Sequence, residues 1–304
     1  MTSAIIQGIL TTSISEGLVY AFVAIGVFLT FRVLAFPDLT VDGSFVVGGS
    51  IAAVMIAAGG NPFLATIAAF AGGLAAGSVT GLLNTKLGIP GLLAGILMMV
   101  GLYSVNLLIM GRPNIPLLRS ITIFDSVASW FGTERSTILV IITLAAIAFL
   151  VLMVLNWFLR TELGLALRAT GDNEQMVRGL GVDTDKNILL GCAISNGLVA
   201  LSGALVAQYQ QFCDVNMGIG MIVMGLAAVI IGEALIHPRG VASMLLAALV
   251  GTFLYRLFIT IAFRLGLAPG NLKLITALLV IVALAIPCIR KKLRHEWMPP
   301  ATRW

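Results

Sequence analysis

Residues 136–158 read STILVIITLAAIAFLVLMVLNWF, a run without a single charged side chain. Wound as a helix, it rises about 35 Å, enough to cross a hydrocarbon core of ~30 Å. It shows no period-two alternation, so it is not a strand of an outer-membrane barrel. The same reading extends in both directions and gives nine segments: 5–31, 43–58, 62–84, 91–110, 136–158, 187–211, 218–235, 241–263 and 271–288. The second segment rises only ~24 Å. It therefore needs the irregular approach Pro37-Asp38-Leu39-Thr40-Val41-Asp42-Gly43 to complete its crossing. The expected fold class is all-α: a polytopic membrane protein with about nine transmembrane helices.

Composition agrees. Of 304 residues, 59% are hydrophobic and 10% are charged, with mean hydropathy +1.07. Soluble proteins carry about 25% charged residues, so soluble domains, intrinsic disorder and secretion into water are excluded. Cys192, Cys213 and Cys288 all fall in or beside apolar stretches. They give neither a disulfide framework nor metal-ligand spacing, and no cofactor is expected. The first apolar run has no basic region before it and continues to Phe31, so it reads as a retained span and not a cleaved signal.

The net charge of +5 matters less than its placement. If the loop 159–186 faces the cytoplasm, twelve of the 18 Lys and Arg residues fall on that face. The positive-inside rule then puts the N-terminus outside and the C-terminus inside. Arg290-Lys291-Lys292-Leu293-Arg294 closes the last span, where anionic lipid suffices to explain it. Nothing in the charge pattern points to nucleic acid.

The chain repeats itself. Ile14-Ser15-Glu16-Gly17-Leu18-Val19 recurs as Ile194-Ser195-Asn196-Gly197-Leu198-Val199, and Phe36-Pro37-Asp38 as Phe212-Cys213-Asp214. Asn61-Pro62 matches His237-Pro238, Lys86-Leu87-Gly88 matches Arg264-Leu265-Gly266, and Pro90-Gly91 matches Pro269-Gly270. The offsets stay between 176 and 180. Five spans separate Asp38 from Asp214, so the repeats are inverted in the membrane, a recurring device of transporters.

Within 159–186, Asp172 with Gln175 suits a capping box, and Gly179 and Gly181 suit a helix stop. The expected product is a short amphipathic helix, with Met176, Val177 and Leu180 apolar and Glu174 and Arg178 charged. An interfacial loop on lipid and a docking helix for a cytoplasmic partner both fit.

Several segments carry a resemblance to a known family. They are Leu29-Thr30-Phe31-Arg32, Phe36-Pro37-Asp38-Leu39-Thr40-Val41-Asp42-Gly43-Ser44-Phe45, Gly225-Leu226-Ala227-Ala228-Val229-Ile230-Ile231-Gly232-Glu233 and Tyr255-Arg256-Leu257. With the loop, they make the chain resemble ABC transporter permeases of the branched-chain amino acid/ribose superfamily, closest to the tryptophan/tyrosine-type branch. Ala35 and Asn271 depart from it, standing where that branch would have acidic residues. The resemblance implies one permease domain over 1–304. Repeat one spans 5–110, the linking span and cytoplasmic coupling loop 136–186, repeat two 187–288 and a basic tail 289–304. It also implies a bacterial inner-membrane location and partners: a cytoplasmic ABC ATPase, a periplasmic or lipid-anchored binding protein, and a second permease copy. Arg168, Asp172, Glu174, Gln175, Met176, Arg178, Gly179 and Gly181 would face the ATPase. The chain contains no G-x-x-x-x-G-K-[ST] phosphate loop, so ATP hydrolysis is expected on another subunit and no residue here is catalytic.

Glu16 and Arg256 are ionisable groups inside spans, where a bare charge costs about 2.5–3.5 kcal/mol on insertion scales. Their expected depths differ by only ~8 Å, which predicts an ion pair between the two halves, either a structural staple or a substrate contact. Ser50, Asn106, Asn196 and Ser202 are polar positions that either line a cavity or bridge helices. Thr40 or Asp42 suits the N-cap of the second span. With Asp38 and Ser44, these residues mark either a plain cap at the inner surface or a half-helix aimed into a pathway. Gly73, Gly77 and Gly81 form a ridge for close helix packing, and Glu233 is expected beside His237 and Arg239. A stand-alone transporter using Glu16 as a proton carrier is the competing function. An intramembrane serine enzyme fails because His237 and His295 lie too far from Ser50 to act as its base.

Overall fold

The structure is a computed structural model that describes residues 2–238, 240–264, 274, 276–278 and 281. Helix α1 (Thr2–Phe28) runs into a π-helical turn, Leu29–Val33. Then follow α2 (Thr40–Ala57), α3 (Pro62–Thr85) and α4 (Gly91–Met110). A short strand β1 (Asn114–Pro116) and helix α5 (Ile123–Trp130) lead to α6 (Thr137–Phe158). Two short helices, α7 (Glu162–Asp172) and α8 (Glu174–Gly179), precede α9 (Thr184–Gln210). Strand β2 (Phe212–Asp214), α10 (Met221–Ile236) and α11 (Val241–Arg264) complete the described order.

Eight of the nine expected segments are helices, seven of them long and apolar enough to cross a membrane, with α10 shorter. The ninth, 271–288, and the tail 289–304 lie outside the described residues, except for helical positions 274, 276–278 and 281. The second helix starts at Thr40, three residues before the expected Gly43. Local chemistry sets many of the boundaries. Asn61 accepts the Phe63 N–H at 2.9 Å, with Pro62 at the first helical position of α3. Ser136 accepts the Leu139 N–H at the head of α6, and Gly111, at φ 65°, ends α4 in the left-handed conformation.

Packing reproduces the duplication. Helix α3 lies antiparallel along α9, and its counterpart α11 lies along α1. A Cβ on Gly73, Gly77 or Gly81 would run into Ala200, Cys192 or Leu189 of α9, so the ridge serves packing within one chain. Gly203 of α9 abuts Phe45 of α2; their counterparts 180 positions away, Val23 of α1 and Gly225 of α10, abut each other. The same turn also recurs: Asp38 accepts the Thr40 N–H and Asp214 accepts the Asn216 N–H, each at 2.8 Å.

The segment between α4 and α6 adds elements beyond the expected spans. Strand β1 pairs antiparallel with β2, with Ile115 opposite Cys213. Thr122 and Asp125 form a capping box that starts α5. Gln208 joins α5 to the bundle, accepting from the Ile123 N–H at 3.0 Å and donating to Thr66 Oγ1 at 2.9 Å.

The glycine seam is testable. Gly77→Val should lower stability by about 1–3 kcal/mol through overpacking, read as a lower melting temperature in detergent. Gly101→Ala, where an added Cβ meets nothing within 4 Å, should leave it unchanged.

Candidate functional site

Helix α2 begins beside the middle of α9, and helix α10 begins beside the first turn of α2. Asp38 is fully buried; its Oδ1 accepts from Thr40 N and its Oδ2 from Asn196 Nδ2 at 2.6 Å. Asn196 lies near the middle of α9 (Thr184–Gln210). Neither Thr40 nor Asp42 caps α2, which corrects the sequence expectation. Thr40 turns its hydroxyl to Thr80 of α3 at 2.8 Å, and Leu39 occupies the cap position without a side-chain bond. The Asp42 carboxylate instead accepts the N–H groups of Gly220 and Ile222, each at 2.9 Å. A residue of repeat one thus caps the half-helix of repeat two, where the helix dipole favours negative charge.

The other polar positions bridge helices. Ser50 donates to Val47 O and Asn106 Oδ1, and Asn106 donates to Gly43 O at 3.2 Å, joining α4 to α2. Ser202 donates to Val19 O at 2.7 Å, joining α9 to α1. Ser44 is buried, and its hydroxyl has no partner among the described residues.

The expected Glu16–Arg256 pair is present, with Nη1 3.4 Å from Oε2. Tyr20, one turn along α1 from Glu16, lies under the guanidinium at 3.5 Å from the ring centroid. The sequence reading missed this contact, although the i, i+4 spacing on one helix face signals it. Glu233 pairs with Arg32 of the π turn, not with His237; Arg32 Nη2 and Glu233 Oε2 are 2.6 Å apart. Arg239 lies outside the described residues.

The loop after α6 is two helices, α7 and α8, instead of one. Asp172 ends α7 and caps nothing. Asn173 takes the cap position, accepting the Met176 N–H at 3.0 Å, because its extended backbone breaks the run between the two helices. Gly179 closes α8, and Gly181 at φ 85° turns the chain toward α9. Arg178 reaches Glu174 at 2.9 Å, Thr184 at 2.7 Å and Asp185 at 2.9 Å, which fixes α8 to the head of α9. Thr184 and Asp185 carry no sequence signal that marks them as its partners. Val177 is buried, whereas Met176, Leu180 and the side chains of Arg168 and Gln175 are exposed. Asn187 donates to Thr170 at 2.9 Å and so holds α7 against α9. Beyond α8, Asp183 caps α9, and the hydrogen bond from the Lys186 side chain holds its carboxyl below the usual carboxylate range.

At the other end of α9, α5 and the start of α3 border an open groove of about 370 Å³. Trp130 stacks on Phe63 there, with ring centroids 5.2 Å apart.

Residues 9–285 match the family described as branched-chain amino acid transport system / permease component. The chain belongs to that family. Among its relatives is a tyrosine transport system permease protein of Clostridioides difficile (strain R20291), 43% identical over 89% of this chain and 88% of the relative. The galactofuranose transporter permease of Escherichia coli (strain K12) is 28% identical over 82% and 71%. The ribose import permease of the same strain is 27% identical over 71% and 67%. No solved structure matches the chain. The protein is a multi-pass membrane permease subunit of an ABC importer. The stand-alone carrier reading therefore falls, and Glu16 is paired with Arg256 instead of standing alone.

The cross-repeat cap gives a prediction. Asp42→Ala leaves the Gly220 and Ile222 N–H groups without their acceptor and should cost about 1–3 kcal/mol. Asp42→Asn keeps one carbonyl acceptor and should cost less; thermal unfolding of the purified variants in detergent measures both.

Proposed function

We propose that two copies of this permease stand above two cytoplasmic ATPase subunits and import a small amino acid-like solute. A periplasmic or lipid-anchored binding protein delivers the cargo on the face that carries α5. ATP is hydrolysed on the ATPase chains, with no nucleotide site on this one. The N-terminus faces outward and the C-terminus and α7–α8 face the cytoplasm, a reading supported by the twelve-to-six charge bias. Lipid contacts the apolar flanks and the basic tail.

The observation that carries this reading is the build of α7–α8. A lever must be stiff where it joins the bundle and sticky where it meets its partner. Arg178 supplies the first through its two contacts with α9, Thr184 and Asp185. Met176 and Leu180, 59% and 72% exposed, supply the second, since exposed apolar side chains beside charges mark an interaction surface. The amino acid cargo is supported by the name of the tyrosine relative, which shares 43% identity.

The double variant Met176→Glu with Leu180→Glu should abolish co-purification of the ATPase subunit and lower ATP-dependent uptake into proteoliposomes at least tenfold. Exposed glutamates leave the fold intact, so the melting temperature should stay within a few degrees. ATPase binding that survives this variant would move the coupling surface elsewhere. Uptake by the permease alone, without the ATPase, would overturn the importer arrangement.

A further inference from the structure

Two Arg–Glu pairs join the halves of the bundle, and they differ in kind. At the helix ends, Arg32 grips Glu233 through three hydrogen bonds of 2.6 to 3.1 Å, although Arg32 is 62% exposed. Deeper in the bundle, Arg256 is only 12% exposed and meets Glu16 through one long contact of 3.4 Å. Burial should tighten such a pair, because charge-assisted bonds between these groups settle near 2.7–2.9 Å and unpaired charge is costly there. Instead, Nε of Arg256 is buried with no partner among the described residues. Glu16 keeps about a quarter of its side chain accessible (26%).

The surroundings are a rigid aromatic platform. Tyr20 lies against the guanidinium at 3.5 Å and stacks on Phe45 at 6.1 Å between centroids. Gln210 donates to the Tyr20 hydroxyl at 3.3 Å, which fixes the ring.

We propose that Glu16 and Arg256 form a subsite for a free α-amino acid, in which Arg256 takes the carboxylate and Glu16 takes the ammonium. This rests on the reading of the chain as an importer permease and names its substrate class. A zwitterion brings one charge of each sign on adjacent carbons. Inserted into the half-open pair, it replaces one long contact with a charge-assisted bond at each end. The unused Nε becomes a donor to its carboxylate. Tyr20 holds the guanidinium in place by a cation–π contact. A neutral sugar offers neither charge and leaves both protein groups as they are.

The test uses the purified permease–ATPase complex in lipid nanodiscs with three probes. They are L-tyrosine, tyramine, which lacks the carboxylate, and 3-(4-hydroxyphenyl)propionate, which lacks the ammonium. L-Tyrosine should raise the melting temperature of the wild-type complex, and neither analogue should match it. Arg256→Gln should lose the L-tyrosine response at least tenfold in ligand concentration while responding to tyramine. Glu16→Gln should shift toward the propionate. Equal responses of the wild type to all three probes, or to none, would overturn the subsite even if the variants fail to fold. Recovery of both stability and L-tyrosine uptake by the charge-exchanged double variant Glu16→Arg with Arg256→Glu would overturn it in favour of a structural staple. ATP-driven uptake of another solute by the wild type, unaltered in both single variants, would sink the subsite and leave the importer standing. Failure of the wild-type complex to import anything with ATP would remove both.

Discussion

A helix that begins inside a packed bundle leaves its first N–H groups where they need protein acceptors. In this chain the starts of α2 and α10 both depend on aspartates of one repeat. Asp38 serves the backbone of its own helix and is held in turn by Asn196 of the other repeat. Asp42 crosses over to serve α10. Helix α10 thus takes its cap from the other repeat, and α2 takes its cap from an aspartate that the other repeat holds. Separating the repeats would strand the N–H groups of α10 and the carboxylate of Asp38 together, so the duplicated halves form one cooperative unit.

The glycines follow from the same constraint. For Asp38 to reach Asn196, α2 and α9 must lie almost backbone to backbone, which Gly48 and Gly203 permit: a Cβ on either would fall on a carbonyl of the other helix. For Asp42 to reach α10, the chain before that helix must pass directly over α2, and a Cβ on Gly218 would fall on the Asp42 carbonyl. Small residues in membranes serve close packing in general; here they set the reach of two carboxylates.

The legible part of this architecture was whatever a single stretch or a matched pair of stretches determines. Apolar length placed eight helices to within a few residues, and the collinear matches announced the duplication that the reciprocal contacts of Gly203 with Phe45 and Val23 with Gly225 display. Glu16 and Arg256 were legible as partners because each needed one and their depths agreed. The identity of a cap was not. Asp42 sits where a self-cap would sit, and its real target lies about 180 positions away, a distance at which spacing carries no information. Asn196 likewise looks the same whether it lines a cavity or holds Asp38. The helix α5 was different: its Thr122 and Asp125 capping box was written locally and lay hidden only because the eight-residue helix is too short to register as a span.

The two ends of α9 show how a motion at one face can reach the other. Its first turn is tied to α8 through Arg178, Thr184 and Asp185, and its last turns are tied to α5 through Gln208. Between them sits Asn196 with its hold on Asp38, and Ser202 with its hold on α1. A force applied at α8 enters a helix whose polar contacts lead to the start of α2, to α1 and to α5 at its far end. A push along α9 that shifts Asn196 must either carry Asp38 with it or leave a buried carboxylate short of a donor, and the second costs more than the bond itself is worth. The start of α2 is consequently tied to α9, and α10 is tied to α2 in turn through Asp42.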